Sequence, residues 1–206
     1  MKVLLVNGSP HEKGCTYTAL SVIAETLKEC GVESEIFWVG KDPVGSCMAC
    51  GACRTLGKCV IDDKVNEFAE MAREADGFVF GSPVHYAAIS GNLSSFMSRL
   101  FYSSGKDFRL KPATGILSAR RGGTTAAFDQ INKFFTISQM PVVSSRYWNM
   151  VHGSVPEDVL QDEEGISCMK VLARNMAYLL QCIAAGKAAG VPLPEAEAPV
   201  RTNFIR

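Results

Sequence analysis

No run of apolar residues in this 206-residue chain approaches the roughly 20 needed to cross a bilayer. The apolar stretch near the N-terminus covers only Val3 to Val6 before Asn7-Gly8. That is too short for a signal peptide, so a cytoplasmic location is expected. Net charge is missing as well: 21 Lys and Arg balance 21 Asp and Glu. The balance excludes an electrostatic pull towards nucleic acid or an anionic membrane. Only three histidines occur, His11, His85 and His152, and no Gly-x-Ser-x-Gly frames a serine, so no hydrolytic triad offers itself. Repeats and linkers are also lacking. With 47% hydrophobic residues, a chain of this length suits one domain with a sizeable core.

Cysteine is plentiful. Four of the eight fall in one short stretch, Cys47, Cys50, Cys53 and Cys59, spaced C-x2-C-x2-C-x5-C. Thiols so spaced can converge on a 4Fe-4S cube, with Gly51 and Gly57 letting the backbone wrap. A four-cysteine zinc knuckle is the rival metal reading, although zinc sites usually come as two separated pairs. Free thiols, some of them packed, are the third. A disulfide framework is not expected in a reducing compartment. Cys15, Cys30, Cys168 and Cys182 are scattered, the last two within a helical pattern as small core residues.

Strand and helix signals alternate along the chain. Val3 to Val6 reads as a strand buried on both faces, followed by a helix from Thr16 to Cys30 that Gly31 ends. Ser34 to Val39 is the second strand, and the cysteine loop follows it. Asp62-Asp63 opens a helix to about Glu74, Gly77 to Gly81 is a third strand, and Asn92 to Tyr102 is helical. Thr114 to Leu117, a helix from Thr124 to Ser138, and an interrupted fifth strand over Val142–Val143 and Tyr147–Met150 come next. The last helix, Glu164 to Ala185, carries an apolar stripe, and residues 187–206 form an extended tail behind a domain spanning 1–186. Five such units argue one doubly wound α/β sheet, five-stranded and parallel, with helices on both faces.

In such sheets ligands sit beyond the carboxyl ends of the strands. The loop after the first strand, Asn7 to Thr18, runs into a helix N-terminus. Its Ser9, Pro10, His11, Gly14, Cys15, Thr16, Tyr17 and Thr18 can surround a phosphate with backbone N–H and hydroxyl donors. Neither a Walker motif nor G-x-G-x-x-G is present, which disfavours a nucleoside triphosphate or a dinucleotide in Rossmann fashion. After the third strand come Ser82, Pro83, Val84, His85 and Tyr86, which offer a fixed turn and flat faces for a planar ring. After the fourth come Ser118, Ala119, Arg120, Arg121, Gly122 and Gly123, a cationic rim able to bind a nucleotide phosphate or neutralise a reduced ring.

Gly8-Ser9-Pro10…Gly14-x-Thr16, Gly81-Ser82-Pro83-Val84-x-Tyr86…Ser90-Gly91 and Gly57-x-Cys59…Asp62-Asp63 together resemble the flavodoxin-like NAD(P)H-dependent FMN reductases. Within them the chain is similar to the multimeric flavodoxins and iron–sulfur flavoproteins, over about residues 1 to 185. The resemblance implies a flavodoxin-like fold with FMN at the carboxyl edge. The 9–18 loop would take its phosphate, the 82–86 loop its ring, and residues 118–123 would complete the pocket. It implies electrons from NAD(P)H, or from a ferredoxin-like carrier, passing to a small acceptor such as a quinone or flavin. It also implies a homodimer or homotetramer. The flavin does the chemistry, so no catalytic side chain is assigned. The rival is a non-enzymatic carrier between redox partners, against which the neutral charge weighs; a thiol-redox module ranks third. The cysteine run follows the second strand, so it is expected along the same edge as the flavin.

Overall fold

The computed structural model describes residues 1–198, 200–202 and 204. Five strands run parallel in the order β2-β1-β3-β5-β6, where β1 is Lys2–Asn7, β2 Glu33–Trp38, β3 Gly77–His85, β5 Ala113–Ala119 and β6 Met150–His152. This is the doubly wound order, with its reversal between β1 and β3. The two-residue β4, Ala88–Ile89, pairs antiparallel with the end of β3, giving six strands against the five expected.

Burial on both faces explains the apolar strands. Along β1, Leu4 and Val6 enter one core while Val3 and Leu5 enter the other. The first core is closed by α3 (Lys64–Glu74), α4 (Gly91–Ser104) and α5 (Thr124–Ile137), around a phenylalanine cluster in which Phe68 packs on Phe37, Phe78, Phe80 and Phe96. Edge-to-face rings add attraction beyond the area they bury. The second core is closed by α1 (Cys15–Glu29), α6 (Pro156–Gln161) and α7 (Glu163–Ala188). A short helix, α2 (Cys53–Leu56), lies inside the cysteine loop.

The expected fifth strand is displaced. Val142 makes only an isolated bridge to Ala113, and regular pairing resumes at Met150. Between them the chain leaves the sheet edge, exposing Tyr147 and Trp148. Asn149, fully buried, fills the gap: its amide donates to Thr114 Oγ1 (2.9 Å) and to the Gly115 carbonyl (3.2 Å). A side chain thus satisfies edge groups that a ladder would otherwise pair. The last helix runs to Ala188, past residue 187 where the tail was expected to begin. Arg109 donates to the backbone oxygens of Pro194 and Glu195, holding the first part of the tail. Pro199, Asn203, Ile205 and Arg206, within the expected tail, lie outside the described residues. No described helix is long and apolar enough to cross a membrane.

Candidate flavin site and cysteine loop

Asn7 ends β1, fully buried, and shapes the turn that follows. Its Oδ1 accepts from the Ser9 N–H (3.1 Å) and its Nδ2 donates to the Glu12 carbonyl (2.9 Å). The Ser9 hydroxyl accepts from the His11 N–H, and the Ser9 carbonyl accepts from the Trp38 indole. The turn then delivers the chain to Gly14, the N-cap of α1, which carries no side-chain cap and no acidic residue in the first turn. The N–H of Thr18 is taken by the Gly14 carbonyl. Those of Cys15, Thr16 and Tyr17 precede it, at the helix's positive end, where an anion is favoured. Cys15 adds no competing charge: burial first, then Asp158 and Glu157, push its thiol pKa up despite a backbone hydrogen bond that lowers it. Pro10 and His11 are exposed.

Three loops are locked together at this edge. Thr16 Oγ1 and Ser118 Oγ, both buried, lie 2.8 Å apart, joining the loop after β1 to the end of β5. Ser90, the N-cap of α4, donates its hydroxyl to the Gly8 carbonyl (2.6 Å), while its own N–H is accepted by the Ser82 hydroxyl (2.9 Å). Gly8 sits so close to α4 that a Cβ would lie 2.7 Å from Leu93 Cβ. On the far side, Gly123 has φ +95°, and a Cβ there would lie 2.9 Å from Ala87 Cα and 3.1 Å from Val84. The 118–123 loop therefore packs on the β3–β4 hairpin. That hairpin turns through Tyr86 (φ 51°) and Ala87 (φ 59°), a left-handed pair that pushes Tyr86 fully into solvent.

The expected site residues thus divide. Ser9, Thr16, Ser82 and Ser118 are buried where the loops meet, with Gly14, Cys15, Tyr17, Pro83, Val84, Ala119 and Gly123 around them; His85, Tyr86, Arg120, Arg121 and Gly122 form an exposed rim. Thr18 donates its hydroxyl back to the Gly14 carbonyl, and Thr16 shares its own with Ser118, so neither stands free as a sequence reading expects. Trp38 escaped the sequence reading, and Asn7 and Ser90, though inside the quoted motifs, were given no role there. Ser90 alone left a signal, an N-cap residue before a helical run.

The cysteine loop only begins at this edge. Asn92 holds it there through the Asp42 carbonyl and the Val44 N–H, after which it descends along α4. Cys59 faces Arg99, nine residues and about 13 Å down the helix from Ser90, and Cys53 reaches the Tyr102 carbonyl. The expectation that the whole run shares the flavin edge is corrected accordingly. All four cysteines, with Arg99, line one small, partly open cavity of about 30 Å³. None of the eight cysteines is disulfide-bonded. Among the described residues no group of three ligating side chains converges on a point that would hold a metal ion.

Arg99 is 1% exposed, yet its guanidinium is fully occupied. It binds both oxygens of Asp63 (2.6 and 2.9 Å), donates to the Ile61 and Gly45 carbonyls, and directs Nε at Cys59 Sγ (3.2 Å). Burial disfavours its charge, but the hydrogen bonds it donates to Asp63 and Cys59 outweigh that and raise its pKa. Asp63 also caps α3 by accepting from the Val65 N–H. Beside Cys47 and Cys53 opens a wider cavity of about 840 Å³, with Phe101, Tyr102 and Phe134 on its walls and Arg54, Lys106 and Arg109 around them.

A doubly wound sheet whose joined loops frame an uncapped helix N-terminus defines a flavodoxin-like protein. The chain belongs to the NADPH-dependent FMN reductase family, whose model matches residues 1–154. It is 30% identical over 191 residues to the iron-sulfur flavoprotein MJ1083 of Methanocaldococcus jannaschii, covering 89% of this chain and 99% of that one. Among solved structures it superimposes on RosB with a bound 8-demethyl-8-formylriboflavin-5'-phosphate intermediate at TM-score 0.70 and 14% identity, covering 100% of this chain and 92% of that one. A flavodoxin from the domain Archaea superimposes at TM-score 0.60 and 15% identity, over 88% and 99% of the two chains. These structural likenesses carry the fold, while family membership points to an FMN-linked redox function for the chain.

Proposed function

We propose that this chain is an FMN-dependent oxidoreductase that takes electrons from NAD(P)H, or from a carrier protein, and passes them to a small acceptor such as a quinone or free flavin. The observation that carries the reading is the bonding of three separate loops, through Thr16–Ser118 and Ser82–Ser90–Gly8, around the uncapped start of α1. Bound FMN supplies hydride and electron transfer; the chain supplies binding, orientation and charge. The N–H groups of Cys15, Thr16 and Tyr17, with the Ser9 hydroxyl, hold the phosphate. The 82–86 turn sets the plane of the ring. Arg120 and Arg121, exposed at the rim, offer positive charge to a phosphate-bearing donor.

The reading extends to a 4Fe-4S cluster on Cys47, Cys50, Cys53 and Cys59. A single zinc ion needs its sulfurs within about 3.8 Å of one another, given a Zn–S bond of about 2.3 Å. A cube sets its thiolates further apart because each binds a different iron; four thiols line one small cavity here, in a run of close spacings rather than the two separated pairs that zinc usually takes. The cluster would lie about two-thirds of the way down α4 from the flavin edge of its own chain, and a second copy would shorten the path. Exposed Tyr102 and Ile137 beside the loop provide apolar surface for that homodimer or homotetramer contact. The second reading, a carrier between redox partners, draws on the cationic residues beside Cys47 and Cys53, which suit an acidic ferredoxin-like protein. Stopped-flow reduction of the FMN-loaded protein separates the two. Fast direct bleaching by NADPH or NADH supports the enzyme, and bleaching only through a reduced carrier supports the second reading.

A further inference from the structure

We propose that Arg99 is the positioning residue of the cysteine centre: its Nε–H···Sγ bond to Cys59 fixes that ligand and raises the reduction potential of the cluster it would hold. This rests on the cluster reading given above. The sulfur of Cys59 is the one thiol in the loop with a cationic partner at hydrogen-bond distance, 3.2 Å. The donor is not a mobile surface side chain. Arg99 is buried on α4 and clamped by two bonds to Asp63 and two to loop carbonyls, so its Nε–H has a fixed direction. Asp63 is itself tied to the start of α3, so two helices and the loop meet at one guanidinium.

The physical consequence concerns charge. When a cluster accepts one electron, it gains one negative charge, part of it on the ligand sulfurs. A fixed N–H donor and a buried cation stabilise that reduced state more than the oxidised one. Asp63 offsets the long-range field of the guanidinium, which leaves the directed hydrogen bond as the larger influence on Cys59. Lysine in place of Arg99 keeps the charge and can still reach Asp63, but it has no planar fork to hold Asp63 and Cys59 together.

The test is a redox titration of the anaerobically reconstituted full-length protein, followed by electron paramagnetic resonance, with wild type, Arg99→Lys and Lys58→Gln compared. Iron, sulfide and FMN are determined on each. Lys58 is an exposed neighbour of Cys59 and serves as the control for a diffuse charge effect. The inference predicts that Arg99→Lys shifts the one-electron equilibrium towards the oxidised state about tenfold, a fall of about 59 mV. It also predicts a changed iron–sulfur stretch in the resonance Raman spectrum, with FMN content retained and Lys58→Gln unchanged. An Arg99→Lys protein with wild-type iron, potential and Raman spectrum would overturn the role of Arg99 alone. So would equal shifts in both variants, which would mark a diffuse field. Wild-type protein that takes up no iron or sulfide would overturn the cluster reading with it. Should Arg99→Lys lose FMN and fold, the double variant Arg99→Met with Asp63→Asn, which removes the N–H donor without stranding a buried carboxylate, replaces it, and an unchanged potential there overturns the inference.

Discussion

Two hydroxyls, Thr16 and Ser118, belong to segments 102 positions apart and hold two sides of the proposed flavin site against each other. Because both are buried, removing one leaves the other without a partner, which costs about 1–3 kcal/mol. Thr16→Val is therefore expected to lower the urea midpoint at unchanged slope and to weaken FMN binding, both read on the same preparation. Gly123 is constrained differently. Its φ of +95° disfavours any Cβ, and an added one would meet Ala87 within 2.9 Å. Gly123→Ala should cost at least about 1 kcal/mol from the backbone conformation alone and move the 84–87 hairpin. Fluorescence titration with FMN would register the movement as a raised Kd. Neither contact could be read in the sequence, because nothing local links position 16 to 118 or 87 to 123. The loop that carries Thr16 could be: small residues and glycine between a buried strand and a helix are a local signal.

Helices and strands were legible where burial imposes a pattern. The apolar β1 and β3 and the amphipathic α1, α3 and α7 sit within a few residues of where periodicity puts them. Legibility ended where a side chain took over the role of the backbone. The fifth strand was expected in two pieces, Val142–Val143 and Tyr147–Met150, but Asn149 bridges the edge of β5 and delays regular pairing to Met150. Asn149→Leu should take one partner from the Gly115 carbonyl and leave Thr114 Oγ1 with only its bond to the Val143 carbonyl, a cost of about 1–3 kcal/mol, with faster amide exchange confined to β5 and β6. The β3–β4 hairpin went unseen because its left-handed residues are Tyr86 and Ala87 rather than the usual Asn-Gly. Arg99 was equally hidden, its partners Asp63 and Cys59 lying 36 and 40 positions away. Asp63 joins α3 to α4, so Asp63→Ala both uncaps a helix and strands a buried guanidinium. A loss of about 3–5 kcal/mol is expected, against a smaller one for Asp63→Asn, which keeps the cap. Thermal unfolding of the two variants would show the gap.

Taken as one molecule, the protein divides its chemistry between two places: three locked loops at the carboxyl edge and a cysteine loop that descends α4. The two meet at the N-terminal end of α4, where Ser90 bonds the loop after β1 and Asn92 holds the entry to the cysteine loop. Disturbing the cysteines should therefore leave flavin binding intact. Cys53→Ser is expected to retain FMN while changing any iron content, as metal and flavin analysis would show. The flavin site itself is tested most directly by titrating flavin-depleted protein with FMN, following fluorescence quenching, in wild type and in Thr16→Val. Saturation near one FMN per chain, with weaker binding in the variant, is the predicted result. Protein that fails to bind added FMN, or a Thr16→Val variant that folds and binds as tightly as wild type, would contradict the assignment of the three loops as its site.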